Sequence, residues 1–196
     1  MSYRTYTTDA LVIGSFEHGS SDRTLFLFTR EVGLVYARAV SVRKEVSKLR
    51  YALQDFSAVK CSLIRGKQGW RIIGAEQSEN MYFSLASREA RAALLRTIRL
   101  VRRFVRGEEA HVELYDILID GIRSLSVCEG HERHLLENIL TLRLLYVLGY
   151  IAPHARYRAY IDAPDFSSLS AYLGEDVLRD RAVRTAIDSA LEVSHL

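Results

Sequence analysis

A chain of 196 residues, 48% apolar and 26% charged, has core enough for one or two folded domains and is too apolar to stay disordered. No charged-apolar-small leader and no apolar run of about 18 residues is visible, so neither export nor membrane spanning is expected. Its two cysteines, Cys61 and Cys128, then read as reduced thiols of a cytoplasmic protein.

The net charge of +3 hides an asymmetry. Residues 1–80 carry 12 Lys and Arg against 8 Asp and Glu, residues 81–110 carry 7 against 3, and residues 111–196 carry 8 against 13. Such a split points to an anionic ligand at the N-terminal end and along one helix. The plainer alternative is an unevenly charged, solvated surface.

In chain order, residues 1–80 read as β. Tyr6 to Gly14 alternates loosely around Ala10 and Val12 and breaks at Glu17-His18-Gly19-Ser20. Arg23 to Arg30 is rich in Leu and Phe, and Glu31-Val32-Gly33 is short enough for a hairpin. Leu34 to Val42 puts Val35, Ala37 and Ala39 on one face and Leu34, Tyr36, Arg38 and Val40 on the other. Ser57 to Ile64 and Trp70 to Ala75 flank the loop Arg65-Gly66-Lys67-Gln68-Gly69. Five strands with a long third connection fit a partly open barrel better than a sandwich.

From Met81 the period becomes helical. Leu94, Ile98, Val101 and Val105 form one apolar stripe that Gly107 stops. Glu113 to Leu125 and Glu132 to Leu148 continue in the same period, the second ending at Gly149. Pro153 and Pro164 bracket a loop-like segment, and Glu175 to Leu196 reads as one or two short helices. The expected class is α+β: a β domain over residues 1–80, then an all-α domain over residues 81–196.

Two basic features stand out. Arg43, Lys44, Lys48 and Arg50 share a turn with no apolar run to bury it, where cations can neutralise phosphates. Tyr36, Tyr51, Phe56 and Trp70 are near in sequence as stacking faces for unpaired bases; Phe26, Phe28 and Phe56 are more in keeping with a barrel core. The helix carries the second feature: Arg88, Arg96, Arg99, Arg103 and Arg106 project opposite the apolar stripe, and only Glu89 opposes them. Their repulsion calls for a neutralising partner: a phosphate backbone, an acidic peptide tail or the acidic helices of the same chain.

Signs of catalysis are weak. Cys128, His131 and His134 are three apart, but no fourth ligand is apparent, and His131-Glu132-Arg133-His134 lacks the spacing of a zinc-hydrolase helix. A polar helix start after Gly130 is the simpler reading, and no metal is expected. There is no phosphate-binding Gly-rich loop, nucleophile elbow or dinucleotide fingerprint.

The run Ser21-Asp22-Arg23, Leu27-Phe28-Thr29-Arg30-Glu31 before Gly33, Ser47-Lys48-Leu49-Arg50, and Ala52-Leu53-Gln54 before Phe56 resembles the N-terminal domain of the bacterial RecO family. Leu142-Arg143-Leu144-Leu145 and Leu148-Gly149-Tyr150 resemble the helix and turn that close that family's central helical part. The resemblance implies an OB-fold DNA-binding barrel followed by a helical domain, in a non-enzymatic mediator of recombinational repair that needs no cofactor. It implies binding of single- and double-stranded DNA, strand annealing, work with RecR, contact with the acidic C-terminal tail of single-strand DNA-binding protein, and help in loading RecA. The DNA-binding candidates are then Arg23, Arg38, Arg43, Lys44, Lys48 and Arg50. Arg88, Arg96, Arg99, Arg103 and Arg106 become candidates for a protein partner.

Departures from the family accompany these matches. Where many members carry a four-cysteine zinc module after the Leu-Gly-Tyr turn, this chain reads Ile151-Ala152-Pro153-His154-Ala155-Arg156-Tyr157-Arg158-Ala159-Tyr160, so no zinc site is expected. The chain is also shorter than is usual for the family. In the basic loop Ser41, Glu45, Tyr51 and Asp55 stand where the family often has Gly and Pro, which bears on DNA contact. The competing reading is an adaptor of the same fold, with weak DNA affinity, that binds an acidic peptide.

Overall fold

The computed structural model describes residues 4–172 and 177–193. Two compact units emerge: residues up to Ser84 with Val105–Val112, and Leu85–Phe104 with Glu113 onward.

The first unit is a closed five-stranded barrel. Strands β1 (Thr5–His18), β2 (Asp22–Thr29), β3 (Gly33–Ala39), β4 (Ser57–Gly66) and β5 (Gly69–Asn80) follow the order β1-β2-β3-β5-β4. β1 pairs antiparallel with both β2 and β4. The barrel expected to be partly open closes through a short parallel seam, Ala37↔Trp70 and Arg38↔Arg71. Inward residues alternate with outward ones, as the strand period demands. Val12, Leu25, Leu27, Val35, Leu63, Trp70 and Ile72 fill the interior, with Ala10, Ala37 and Cys61 where space is short.

Two strands outrun their sequence signals. β1 passes Gly14 because the register shifts between Val12 and Gly14, a bulge that resets the alternation and carries pairing on to His18↔Asp22. β5 continues through Glu76 and Gln77 to Asn80, where Asn80 Nδ2 donates to Asp55 O and Ser57 Oγ. The β2–β3 turn is tied by Thr29: its hydroxyl accepts from Val32 N–H (3.0 Å) and donates to Gly33 C=O (2.8 Å). Gly33 has φ 83°, and a Cβ there would overlap the backbone of Glu109. Leu34 N–H donates to Gly107 C=O at 2.9 Å. Residues 105–112, which by period alone follow the helices, are thus bound to the barrel by backbone contacts. Two short helices, α1 (Leu49–Ala52) and α2 (Met81–Ser84), complete this unit.

The second unit is helical: α3 (Arg88–Phe104), α4 (Val112–Ser124, whose first residue belongs to the barrel unit), α5 (Gly130–Val147), α6 (Arg158–Asp162), a 3-10 turn (Ser167–Tyr172) and α7 (Val177–Val193). α3 buries Ala90, Leu94, Ile98 and Val101 along one face. α5 is central, burying residues around its whole circumference from Leu135 to Leu145. Gly121 of α4 lets Leu140 of α5 approach so closely that a Cβ would overlap it. α5 ends in a glycine cap: Gly149 (φ 80°) donates to Tyr146 C=O, and Tyr150 N–H to Leu145 C=O, both 2.9 Å. This is the physical content of Leu148-Gly149-Tyr150. The segment between Pro153 and Pro164 contains α6. The Glu175–Leu196 expectation meets one helix, α7; residues 175–176 and 194–196 lie outside the described residues. No helix among the described residues is long and apolar enough to cross a membrane.

Candidate nucleic-acid interface

The connection between β3 and β4 is a cationic loop held at both ends by the Ser21-Asp22-Arg23 turn. Asp22 Oδ1 accepts from Ser41 N–H at 2.7 Å, and its Oδ2 accepts from Arg38 Nε at 2.8 Å and pairs with the same guanidinium at 2.7 Å. The Ser41 amide, with Arg38 beside it, holds the Asp22 carboxyl below its ordinary value of 3.8. Ser21 C=O accepts from Arg43 N–H at 2.9 Å. At the other end Arg23 donates to Leu53 C=O (3.4 Å), to Asp55 Oδ1 (3.2 Å) and to Ser15 Oγ, while Ser15 donates to Asp55 at 2.6 Å. Val42 and Leu53 are buried anchors in the barrel core. The loop is therefore pinned by its termini, and its middle projects.

That middle holds the cations. Lys44, Lys48 and Arg50 are exposed and have no ion-pair partner among the described residues. Arg43 pairs with Glu17 at 3.1 Å but keeps 36% of its side chain exposed. Arg23, Arg43 and Arg50 meet around a cleft of about 510 Å³ that also holds Phe16, Glu17 and Asp55. Of the six residues read as DNA contacts, Arg23 and Arg38 thus also serve to hold the loop in place.

A second cationic cleft, about 360 Å³, opens where the barrel closes, lined by Arg38, Lys67, Trp70 and Arg71 among others. Trp70 is a barrel core residue, edge-on to Tyr6 at 5.1 Å and covered by Arg65 at 5.5 Å, so it offers no stacking face. Phe56 is stacked against Tyr82 at 5.8 Å, and Phe28 is fully buried. Tyr51 and Tyr36 are exposed, 66% and 57%. Phe26, expected in the core, instead faces outward between Phe16 and Tyr36, with ring centroids 5.7 and 4.9 Å away. Sequence reasoning missed Phe16, Lys67 and Arg71 as members of this surface; the only sequence signal was the outward phase of Tyr36 and Arg38.

The arginines of the helical unit divide. Arg96 is spent on α5, bidentate to Glu137 at 2.5 and 2.8 Å, and this bond raises its pKa further. Arg103 donates to Leu191 C=O in the last turn of α7 at 3.3 Å, where the helix dipole favours a cation. Arg88 and Arg99 are exposed without an ion-pair partner among the described residues. Arg106 lies beyond α3, in the segment that belongs to the barrel unit.

Cys128 precedes the start of α5, where Gly130 has φ 52° and Arg133 donates to Cys128 C=O. Burial, with Glu132 nearby, raises the Cys128 thiol above its ordinary range. Among the described residues no three His, Cys, Asp or Glu side chains converge as metal ligands.

Comparison with known proteins fits this architecture. The family model described as Recombination protein O N terminal matches residues 1–79, the barrel strands. DNA repair protein RecO of Heliobacterium modesticaldum is 34% identical over 155 residues, covering 75% of this chain and 52% of that protein. The protein of the same name from Desulfitobacterium hafniense is 31% identical over 145 residues (74% and 52%), and that from Pelotomaculum thermopropionicum 29% over 147 (75% and 56%). The chain spans about half the length of the curated relatives it matches. With the family model on its barrel and these relatives aligned over three quarters of its length, the chain belongs to the RecO family.

Proposed function

We propose that this chain is a non-enzymatic DNA-binding mediator of recombinational repair, and that its barrel is an OB-fold whose β3–β4 loop grips phosphates. The observation that carries this reading is the loop itself: Arg43, Lys44, Lys48 and Arg50 projecting between two fastened ends, three of them without a partner among the described residues. Cations so placed neutralise phosphates without reading sequence. Screening the repulsion between two strands lets complementary bases meet, so annealing needs neither nucleotide nor metal. RecO relatives carry a DNA repair name, which supports the biological setting. On the same footing we assign RecR, the acidic tail of single-strand DNA-binding protein and, indirectly, RecA as cytoplasmic partners.

Annealing of two complementary strands of about 30 nucleotides tests this directly. The wild-type chain is expected to accelerate annealing without cofactor, and the Arg43→Ala/Lys44→Ala/Lys48→Ala/Arg50→Ala variant to lose most of that acceleration while melting as the wild type does. Equal acceleration by both would remove the loop from the mechanism.

The adaptor reading rests on Arg88 and Arg99, exposed on α3 after Arg96 and Arg103 have been used internally. It expects an acidic, apolar-ended peptide to bind, and Arg88→Glu/Arg99→Glu to abolish that binding without altering DNA affinity.

A further inference from the structure

The helical unit holds a cleft that the DNA-binding reading does not use. It lies between the turn that follows Pro153 and the exposed side of α7, and has a volume of about 400 Å³. Three basic side chains line it from two segments far apart in sequence: His154 and Arg156 from the turn, and Arg181 from α7. Thr185 and Ser189 follow Arg181 at helical spacing and add two hydroxyls to the same wall. Ala182 and Ala186 line it beside them, and their short side chains leave the space open.

Among the described residues nothing in the cleft balances these charges: no Asp or Glu lines it, and neither Arg156 nor Arg181, both exposed, has an ion-pair partner. Asp162 of α6 is committed to Arg158 at 2.8 Å, and Asp188 and Glu192 of α7 lie outside the lining. Two guanidiniums facing one gap repel unless an anion lies between them. The turn is fastened in this arrangement. Tyr157 is buried; its hydroxyl donates to Ala152 C=O at 2.9 Å and its N–H to His154 C=O at 3.1 Å. Arg156 N–H donates to His154 Nδ1 at 3.2 Å, so the neutral imidazole carries its proton on Nε2 and is set as a donor.

We propose that this cleft is an anion site for a phosphate group, either free inorganic phosphate or the phosphate of a small monoester. Guanidiniums match phosphate oxygens with paired N–H donors. His154 Nε2 and the Ser189 hydroxyl complete the donor set, whereas the Thr185 hydroxyl already donates to Arg181 C=O at 2.9 Å and shapes the wall. A carboxylate offers two oxygens in one plane; donors arriving from two walls favour a tetrahedral anion. The volume suits one small molecule. No residue of the barrel takes part, so the site stands independently of the DNA-binding reading.

The test follows amide NMR shifts of the full wild-type chain as inorganic phosphate or ribose 5-phosphate is added, with chloride at equal ionic strength as reference. Within the helical unit, saturable shifts at residues 154–157 and 181–189 are expected, half-complete at about 1 mM or below. Tighter binding of ribose 5-phosphate assigns the site to a monoester, and equal binding assigns it to the phosphate group alone. Arg156→Ala/Arg181→Ala should weaken binding about tenfold or more. Ala186→Leu keeps every charge but fills the cleft, and should weaken it as much. The quadruple alanine variant of the barrel loop should respond at these residues as the wild type does. Shifts that grow without saturating and match those from chloride, or that survive in both cleft variants, overturn the site. So does a response of these residues to a single strand of about 30 nucleotides and to neither small anion, which would make them part of a nucleic-acid surface instead.

Discussion

Ser41 adopts a left-handed backbone, φ 56°. A side chain there costs about 1–2 kcal/mol, and the bond from Ser41 N–H to Asp22 offsets part of it. Ser41→Gly is therefore expected to raise stability by about 0.5–1 kcal/mol, read from the urea midpoint, with glycine's own entropy limiting the gain. Gly33 is the opposite case: a Cβ meets both a positive φ and the Glu109 backbone, so Gly33→Ala should cost about 2–4 kcal/mol in the same assay. Asp22 sets an acid limit. Its folded carboxyl sits below 3.8, so its contribution is present above that pH and is lost as pH falls through the folded value. Wild type should thus exceed Asp22→Asn in urea stability at pH 6, and the two should converge in acid. The cysteines differ as well. Burial pushes the Cys61 thiol up to about 12, whereas Cys128 is half-buried. A thiol reagent at pH 8 should modify one equivalent in the native protein, at Cys128, and two after denaturation.

The cationic loop is an element without regular structure for most of its length; besides the Arg43–Ser21 backbone bond and the buried Val42 and Leu53, two side chains order it. Arg23 reaches Asp55 and Leu53, 32 and 30 residues away in sequence, and Asp22 reaches Ser41. Arg23→Ala is expected to leave the barrel folded, cost about 1–2 kcal/mol, and speed amide exchange over residues 41–55 more than in the strands. Fast exchange spread evenly over the barrel would instead make Arg23 a general core residue. These long-range ties were not legible in the sequence, where Arg23 reads simply as one more cation. The strands were legible from alternation wherever it was strict, as in Leu34 to Ala39; the expected continuation to Val42 is missing because the chain turns at Ser41, φ 56°. Alternation failed at the Val12–Gly14 bulge, where an extra residue reverses the phase, and after Ala75, where β5 continues on polar residues. Helix ends with a glycine cap, such as Gly149, were readable because only the backbone decides them.

Across the molecule, the charge split visible in the sequence resolves into different roles. In the helical unit Arg96 and Arg103 neutralise its own Glu137 and the end of α7, which a one-dimensional stripe cannot distinguish from a binding face. In the barrel unit the cations stay outward on either side of an aromatic row. Phe16, Phe26 and Tyr36 sit ten residues apart on successive strands, so their meeting depends on register, and only Tyr36 was phased correctly by its own strand. The central claim is that the loop cations contact phosphates, and the salt dependence of binding reads it most directly. A labelled single strand of about 30 nucleotides, titrated by anisotropy across salt concentrations with the wild type and with the quadruple alanine variant of Arg43, Lys44, Lys48 and Arg50, gives two slopes of log affinity against log salt. Contact of all four with phosphate flattens the variant's slope by about 3, since each contact on a single strand contributes about 0.7. Identical slopes would contradict it.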